Sequence, residues 1–317
     1  MQVRKAVITA AGRGSADFPA WTSAHQAMLP MVDRDGLVKP VVQIIAEEAL
    51  DSGIEEICLV TAPGDEAVYR SHFQTLARRL ATGGEGKATQ EQQRRLADFE
   101  RRLSFAVQDK PEGYGHAVWC AREFVGGEPF LLLVSDHLYV SGEARRCARQ
   151  VIDLAVAQDC AVAAVQATRE HLIHQYGTVA GKRVSGLSNT FQIEHILEKP
   201  TPTAAEQLLH VPGLRVGHYL CFFGIHVLTP TIFSILDEHV ERSRRQGEEI
   251  QLTPALQELA RSEKYLAVQT NGRRYNIGVK FGSLEAQVAL AMAGRDRDEL
   301  LIRLMELLLQ AGVRNDE

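Results

Sequence analysis

The sequence predicts an α/β fold with a mostly parallel central sheet, and two observations support this. Apolar runs of strand length alternate with segments of helical period along residues 1–168. The apolar runs are continuous and rich in β-branched residues, which is typical of strands that are buried on both faces. Such strands require helices on either side, so the first half of the chain is predicted to form a Rossmann-like layer.

The elements of this layer follow in a regular order. A polar, glycine-containing break at Ala81–Gln93 is predicted to be a surface loop. The predicted strands are Lys5–Thr9, Glu56–Val60, Leu103–Gln108, Phe130–Val134 and Cys160–Ala167, and the predicted helices are Lys39–Ser52, Asp65–Ala81, His116–Phe124 and Gly142–Gln158.

The pattern changes after Thr168, where strand-like segments have looser connections and indicate a smaller β region beside the main layer. We expect one domain in three parts, residues 1–168, 169–281 and 282–317. The final helix has a wide apolar stripe that could dock on the domain or on a second copy of the chain. The strands here are predicted at Tyr176–Ala180, Gln192–Leu197 and Val216–His226, and the helices at Pro230–Arg245, Pro254–Arg261, Ser283–Ala293 and Asp296–Ala311.

Composition excludes several classes of protein. The 317 residues are 45% hydrophobic and 24% charged, as in an ordinary globular protein. A net charge of −5 without blocks of like charge argues against a nucleic-acid partner, and no apolar run reaches the ~18–20 residues of a membrane span. The five cysteines are scattered and form no CxxC pair, so we expect reduced thiols and a cytoplasmic protein.

A glycine-containing loop follows the first predicted strand. Gly12 and Gly14 allow the backbone to approach a ligand and to turn its N–H groups toward an anion. A loop that handles a triphosphate normally has cations beside it, yet the next positions here are Ser15, Ala16 and Asp17. The loop therefore predicts nucleotide binding with weak provision for phosphate chemistry.

Two further stretches place polar groups beside this loop. Gln108 and the glycine turn Gly113–His116 would offer a carboxamide and backbone amides to a pyrimidine base, or would simply form a turn and a helix cap. The apolar stretch Leu131–Asp136 ends in a carboxylate, and a carboxylate at the carboxyl end of such a strand is well placed to hold Mg²⁺. The alternative is that Asp136 caps the next helix.

Two shorter signals are weak when taken singly. A strand ends in Glu198 and Lys199, where the lysine could pair with a phosphate and the glutamate could accept sugar hydroxyls. Exposed Glu-Lys pairs are common without any such role. The turn Tyr275–Lys280 could place an amide and an ammonium group in a pocket.

Together and in this order, these stretches resemble the bacterial UTP–glucose-1-phosphate uridylyltransferases, also called UDP-glucose pyrophosphorylases. The resemblance extends over nearly the whole chain, and GYGHAV and GEEIQLT favour this branch over the related thymidylyl- and adenylyltransferases. The matching segments are AAGRGS (10–15), MLPMVD (28–33), EEALDSGIEEICLVT (47–61), GYGHAVWCA (113–121), LLLVSD (131–136), YGTV (176–179), ILEKP (196–200), GEEIQLTPAL (247–256) and YNIGVKFGSLEA (275–286).

The resemblance implies a nucleotidyltransferase fold and a Mg²⁺-dependent reaction of UTP with a sugar-1-phosphate that gives a UDP-sugar and pyrophosphate. It also implies a role for each matching residue. By this resemblance Ala11, Gly12, Gly14, Gln108, Gly115 and His116 bind the nucleotide, Asp136 binds Mg²⁺, Gly177, Glu198, Gly217 and Lys280 lie at the sugar, and Lys199 contacts the sugar phosphate.

Four departures from the family pattern fall on the phosphate, metal and base side. Ala16 replaces an arginine of the loop, Gln26 a phosphate-binding lysine, Ala27 a base-contacting glutamate and Asn276 the second metal-binding aspartate. Arg13 and Lys39 are the cations near the loop that could partly compensate. Two hypotheses remain: a uridylyltransferase of weakened activity that uses Asp136, Lys199 and Arg13, or an inactive relative that binds a nucleotide or UDP-sugar or serves as a regulatory partner.

Overall fold

The structure is a computed structural model that describes residues 1–12, 25–82 and 86–313. Arg13, Gly14 and Ala16 lie outside the described residues. The predicted roles of these three positions therefore remain predictions.

A mixed sheet of nine strands forms the centre of the described chain, in the spatial order β5-β4-β1-β6-β11-β8-β12-β10-β9. Every pairing that involves β10 or β11 is antiparallel and every other pairing is parallel, so seven strands run in one direction. The strands are β1 (Lys5–Thr9), β4 (Glu56–Thr61), β5 (Leu103–Val107), β6 (Phe130–Val134), β8 (Ala161–Arg169), β9 (Thr178–Arg183), β10 (Thr190–Leu197), β11 (His218–Leu228) and β12 (Tyr265–Gln269).

Helices cover both faces of this sheet, and the predicted α/β class is confirmed. Successive residues of β1 belong to opposite sides of the sheet, Ile8 to one hydrophobic cluster and Val7 to the other. The helices are α1 (Val41–Leu50), α2 (Asp65–Thr82), α3 (Lys87–Arg102), α4 (Tyr114–Cys120), α5 (Arg122–Val125), α6 (Cys147–Gln158), α7 (Pro202–Leu208), α8 (Thr231–Gln246), α9 (Leu252–Ser262), α10 (Gly282–Met292) and α11 (Arg297–Val313).

Two small ribbons were not predicted. β2 (Pro30–Val32) pairs with β3 (Val38–Pro40), and β7 (His137–Ser141) pairs with β13 (Gly272–Asn276), both antiparallel. Only two residues separate the end of β6 from the start of β7, so the second ribbon starts at the carboxyl edge of the parallel strands. This position places β13 beside Asp136.

The loop predicted at Ala81–Gln93 is wrong for its second half, because α3 begins at Lys87. Its sequence is mostly polar, but its few apolar residues share one face, where Leu96 and Phe99 are fully buried in the core. Exposed ion pairs one turn apart add to this, as Glu91 binds both Arg94 and Arg95. The signal for this helix was therefore the spacing of a few apolar residues in a polar segment.

The starts of two other predicted helices are also wrong. Lys39 lies in β3, and α1 begins at Val41, because Pro40 before it is held in an extended conformation (φ −65°, ψ 147°). The helix predicted from Gly142 starts at Cys147. Among the described helices, none is long and apolar enough to cross a membrane.

Candidate functional site

Asp136 lies at the carboxyl end of β6 and marks the centre of the site. Its Oδ1 atom is 2.7 Å from Nδ1 of His137, and its carbonyl oxygen accepts a hydrogen bond from the N–H of Ile277 at 2.8 Å. β7 follows directly, with no helix, so the alternative that Asp136 caps a helix is wrong. Its side chain is 42% exposed, which leaves the carboxylate accessible to a ligand.

The charged form of Asp136 is favoured. Burial by itself would raise the pKa of this carboxyl, but the adjacent His137 and the more distant Lys199 outweigh it and lower the pKa below the ordinary value. The carboxylate is consequently ionised at neutral pH. That is the state required to attract a cation.

Three polar groups border one small space, which we call the phosphate corner: Gln26, Asp136 and Asn276. A Cβ atom added to Gly278 would lie 3.1 Å from Oδ1 of Asn276, 3.3 Å from Nε2 of Gln26 and 3.8 Å from Oδ2 of Asp136. Nε2 of Gln26 is buried and has no hydrogen-bond partner among the described residues. A buried donor without a partner is costly, so the corner is suited to a ligand that accepts hydrogen bonds.

The donor set of the phosphate corner fits a single Mg²⁺ ion. Asp136 supplies one carboxylate oxygen, and Asn276 supplies an amide oxygen that already accepts from the N–H of Gly278 at 2.8 Å. Mg²⁺ is commonly bound by one or two carboxylates together with water and substrate phosphates. The N–H donors of Gln26 suit a phosphate oxygen and not a cation.

A second acidic cluster is not a metal centre. Asp33, Asp35 and Glu47 bring three carboxylates together, but Nζ of Lys39 lies among them at 2.8, 2.5 and 2.7 Å. The ammonium group already neutralises the space that a cation would fill. Lys39 is thus engaged by these carboxylates, which contradicts the expectation that it could replace a missing phosphate-binding lysine.

On the other side of the site Glu198, Thr253 and Gly177 form what we call the sugar corner. Oγ1 of Thr253 donates to Oε2 of Glu198 at 2.5 Å. A Cβ atom on Gly177 would lie 3.2 Å from the same oxygen and 2.8 Å from the ring of Phe222, so glycine is required there. The second carboxylate oxygen of Glu198, Oε1, lies 4.0 Å from Nζ of Lys199.

Lys199 is held in an unusual backbone conformation at the edge of the sugar corner. Its φ angle is 44°, in the left-handed region that non-glycine residues rarely occupy. Its N–H donates to the carbonyl oxygen of Tyr176 at 3.2 Å, while its ammonium lies 4.0 Å from Oε1 of Glu198 and is 60% exposed. The ammonium group of Lys199 is thus an exposed cation beside Glu198, and its contact with a sugar phosphate remains a prediction.

Most hydrogen-bonding groups of the predicted base-binding stretch already have partners within the protein. Nε2 of Gln108 donates to the carbonyl oxygen of Gly113 at 3.0 Å, which leaves Oε1 as the amide atom available to a base. His116 is buried, stacks on Trp119 and has Nδ1 3.1 Å from the carbonyl oxygen of Lys110. The side chain of His116 therefore orders this loop.

Gly115 has a structural role that sequence reasoning did not anticipate. Its N–H donates to the carbonyl oxygen of Ile250 at 2.8 Å, and a Cβ atom would lie only 2.9 Å from that oxygen. The expectation that this amide is exposed to a base is wrong, because the backbone of residue 250 already uses it. Any contact of Gly115 with a base would have to use other atoms.

The remaining predicted residues are more dispersed. Gly217 lies just before β11, its carbonyl oxygen accepts a hydrogen bond from the N–H of Glu170 at 3.0 Å, and no described contact joins it to Glu198. Lys280 is exposed and lies over the ring of Phe281. Ala11 and Gly12 follow β1 at the edge of the described chain. Their ligand roles remain predictions.

Sequence reasoning missed His137 and Thr253, which position the two key carboxylates. His137 follows Asp136 directly, so a signal was present there. Thr253 is 55 residues from Glu198, and only the tertiary structure brings the two together. Ala27 is buried in the core, so this position offers no polar group to a base.

Comparison with known proteins identifies the family. The model of the nucleotidyl transferase family matches residues 5–278. A UTP–glucose-1-phosphate uridylyltransferase of Bacillus subtilis (strain 168) is 34% identical over 313 residues, which cover 97% of this chain and 98% of the relative. A Streptococcus pyogenes serotype M3 protein of the same name is 34% identical over 300 residues, covering 92% and 90% of the two chains.

Solved structures agree with the sequence relatives. UDP-glucose pyrophosphorylase complexed with UDP-glucose has a TM-score of 0.72 at 25% identity and covers 91% of this chain and 98% of its own. UTP-bound UGPase from Acinetobacter baumannii has a TM-score of 0.73 at 25% identity, with coverages of 96% and 100%. The chain therefore belongs to the nucleotidyl transferase family, in the branch of the UTP–glucose-1-phosphate uridylyltransferases.

Proposed function

We propose that this chain binds a uridine nucleotide and a sugar-1-phosphate and catalyses uridylyl transfer at a reduced rate. A phosphate oxygen of the sugar-1-phosphate attacks the α-phosphorus of UTP, the bond from that phosphorus to the bridging oxygen breaks, and pyrophosphate leaves. The products are a UDP-sugar and pyrophosphate. The observation that carries the proposal is the ordered sugar corner, with Glu198 fixed by Thr253 beside Lys199 and with an ionised Asp136 at the end of β6.

Each of these residues has a definite task in the transfer. Glu198 accepts hydrogen bonds from sugar hydroxyl groups and orients the ring. Lys199 pairs with the phosphate of the sugar and holds its oxygen in line with the α-phosphorus. Asp136 holds Mg²⁺, which supplies charge neutralisation on the phosphates when bound.

The phosphate corner explains why we expect slow transfer. Gln26 and Asn276 are both neutral, so neither adds the cation or the second carboxylate that the resemblance implies for these positions. Loss of one preorganised electrostatic contact commonly costs on the order of 10²–10³ in rate, and several such losses do not simply add. The same neutral corner supports a second candidate function, an inactive relative that binds a UDP-sugar.

The test is pyrophosphate release from UTP and glucose-1-phosphate with Mg²⁺. We expect measurable turnover in the natural chain, a fall on the order of 10²-fold or more in Asp136→Asn, and about a tenfold rise in Asn276→Asp, which restores a carboxylate. Absence of turnover in both the natural chain and Asn276→Asp, with calorimetric binding of UDP-glucose, would establish the inactive relative.

We also propose that α11 mediates contact with a second copy of the chain. Its apolar side chains Ile302, Met305, Leu308 and Leu309 are 60–72% exposed, an unusual density for a monomer surface. These side chains are three or four residues apart and share one face of the helix, so an isologous pairing of two copies would bury the apolar faces against each other. Light scattering should show a dimer, and Leu308→Glu should give a folded monomer.

A further inference from the structure

Arg274 is a buried arginine that neither the sequence nor the family resemblance assigns to the site. It lies on β13 two residues before Asn276, so both side chains belong to the same face of the ribbon. On the partner strand β7 the residues opposite them are Tyr139 and His137. Arg274 is therefore two residue pairs along the ribbon from Asn276 of the phosphate corner.

The surroundings of Arg274 do not satisfy its charge. The residue is only 6% exposed, and Nε and Nη1 are buried without a hydrogen-bond partner among the described residues. Within the described ranges, Arg274 also makes no ion pair. An unpaired buried charge is costly, and natural proteins rarely leave one unless a ligand completes it.

The aromatic neighbour of Arg274 connects it to the sugar corner. Its guanidinium carbon lies 3.7 Å from the centre of the Tyr176 ring, in a cation–π arrangement. Tyr176 precedes Gly177, and its carbonyl oxygen binds the N–H of Lys199. The guanidinium group therefore contacts the residue that precedes Gly177 of the sugar corner, on a strand that reaches Asn276 of the phosphate corner two residues later.

We propose that Arg274 is an oxyanion-binding residue of the ligand site and receives an anionic group carried by the sugar substrate. A planar guanidinium group held over an aromatic ring presents fixed N–H donors, which match the oxygens of phosphate or carboxylate. The phosphate of a sugar-1-phosphate and a carboxylate on the sugar ring share this chemistry. The proposal rests on the proposed function for the identity of the ligand, but it concerns binding and not turnover.

Calorimetry in the absence of Mg²⁺ tests this directly, with glucose-1-phosphate, glucuronate and glucose as separate ligands. We expect Arg274→Met to weaken binding of glucose-1-phosphate by about tenfold to hundredfold, the usual effect of a charge-assisted hydrogen bond, and to leave glucose unaffected. A loss confined to glucuronate would identify the oxyanion as a sugar carboxylate and would equally support the proposal.

The matched control is Arg183→Met. Arg183 also lies over an aromatic ring, that of Phe191 at 5.2 Å, but its side chain is exposed at the end of β9. We expect no change in affinity for any of the three ligands. Equal affinity of the natural chain and Arg274→Met for both anions would overturn the proposal.

A second variant covers the case in which Arg274→Met does not fold. Arg274→Lys keeps the charge but loses the planar fork, and we expect a severalfold loss for the anionic ligand with unchanged affinity for glucose. Unchanged affinity for both anions would again overturn the proposal. A chain without turnover that still shows Arg274-dependent anion binding would refute the proposed function and leave this inference intact.

Discussion

Two buried cations, Lys39 and Arg274, show how differently one protein can accommodate a positive charge. Lys39 is 1% exposed and is bound by three carboxylates, whereas Arg274 is 6% exposed and has no acidic partner among the described residues. Burial alone therefore does not reveal the role of a charged residue. The partners of the charge do reveal it: they give Lys39 a role in stabilising the fold and Arg274 a role in binding the ligand.

Lys39 joins the β2–β3 ribbon to the sheet layer. Its partners Asp33 and Asp35 come from the ribbon turn, and Glu47 comes from α1. Burial alone would lower the pKa of Lys39, but the surrounding carboxylates outweigh burial and raise it well above the ordinary value. The ammonium group is therefore charged at neutral pH.

The largest expected effect is therefore on folding, from Lys39→Met. Removal of the ammonium leaves three carboxylates facing one another, and breaking a buried ion pair from one side typically costs about 3–5 kcal/mol. We expect the free energy of unfolding in urea to fall by about that amount. Lys182→Met is the control, because Lys182 makes a single ion pair at an 81% exposed side chain and should change stability by less than about 1 kcal/mol.

If Lys39→Met lowered the free energy of unfolding less than Lys182→Met, the view of Lys39 as a residue that stabilises the fold would be wrong. Such a result would mean that the three carboxylates are not balanced by Lys39 and that the cluster is open to a metal ion. Thermal unfolding with and without added Mg²⁺ distinguishes the two cases. Stabilisation of the natural chain that persists in Asp136→Asn would point to a metal at Asp33, Asp35 and Glu47.

We expect an effect of intermediate size on stability at Glu48. This glutamate is buried beside the Lys39 cluster, and its negative charge has weaker partners than the charge of Lys39. It accepts the N–H of Ala148 at 2.9 Å, but its nearest cations, Arg146 and Arg34, are 3.5 and 3.9 Å away. Burial raises the pKa of Glu48 to about 7 from 4.5. Between these values the folded chain retains a proton that the unfolded chain releases, so stability falls as the pH rises from about 4.5 to about 7.

We expect Glu48→Gln to remove this pH dependence while it keeps the hydrogen bond to Ala148. Above pH 7 the variant should be more stable than the natural chain by on the order of 2 kcal/mol, and at pH 4.5 the two should be nearly equal. Chemical denaturation at several pH values measures this. Glu123→Gln, at an 88% exposed side chain, is the control and should show no such difference.

The fold could be predicted from the sequence wherever an element buries a continuous apolar run. β1 and β6 have the predicted boundaries, because their side chains fill both faces of the sheet. Elements with few apolar residues, and elements that pair with distant strands, could not be predicted in this way. α3 buries Leu96 and Phe99 within a mostly polar segment, and β13 forms by pairing with β7, more than 130 residues earlier.

In the candidate site, too, the residues marked by local sequence were predicted and those brought in by the tertiary fold were not. Asp136 and Glu198 were predicted because each ends a recognisable strand, and the resemblance to a family added their roles. The side chains that position them were not predicted, since Thr253 reaches Glu198 only through the tertiary fold. The burial of Lys39 among three acids also required the structure, because its neighbours in sequence indicated only a cation near the nucleotide loop.

The smallest expected effect is the one that most sharpens the comparison, the stability of Arg274→Met without ligand. Because Arg274 has no acidic partner, its replacement by an apolar side chain loses the contact with Tyr176 but removes an unpaired charge. Replacing poorly compensated buried charges by apolar residues is commonly neutral or stabilising, so we expect a change within about 1 kcal/mol of the natural chain in urea denaturation. A loss of stability as large as that of Lys39→Met would mean that both cations stabilise the fold. Stability close to that of the natural chain, together with lost affinity for the anion, would show that this arginine serves ligand binding.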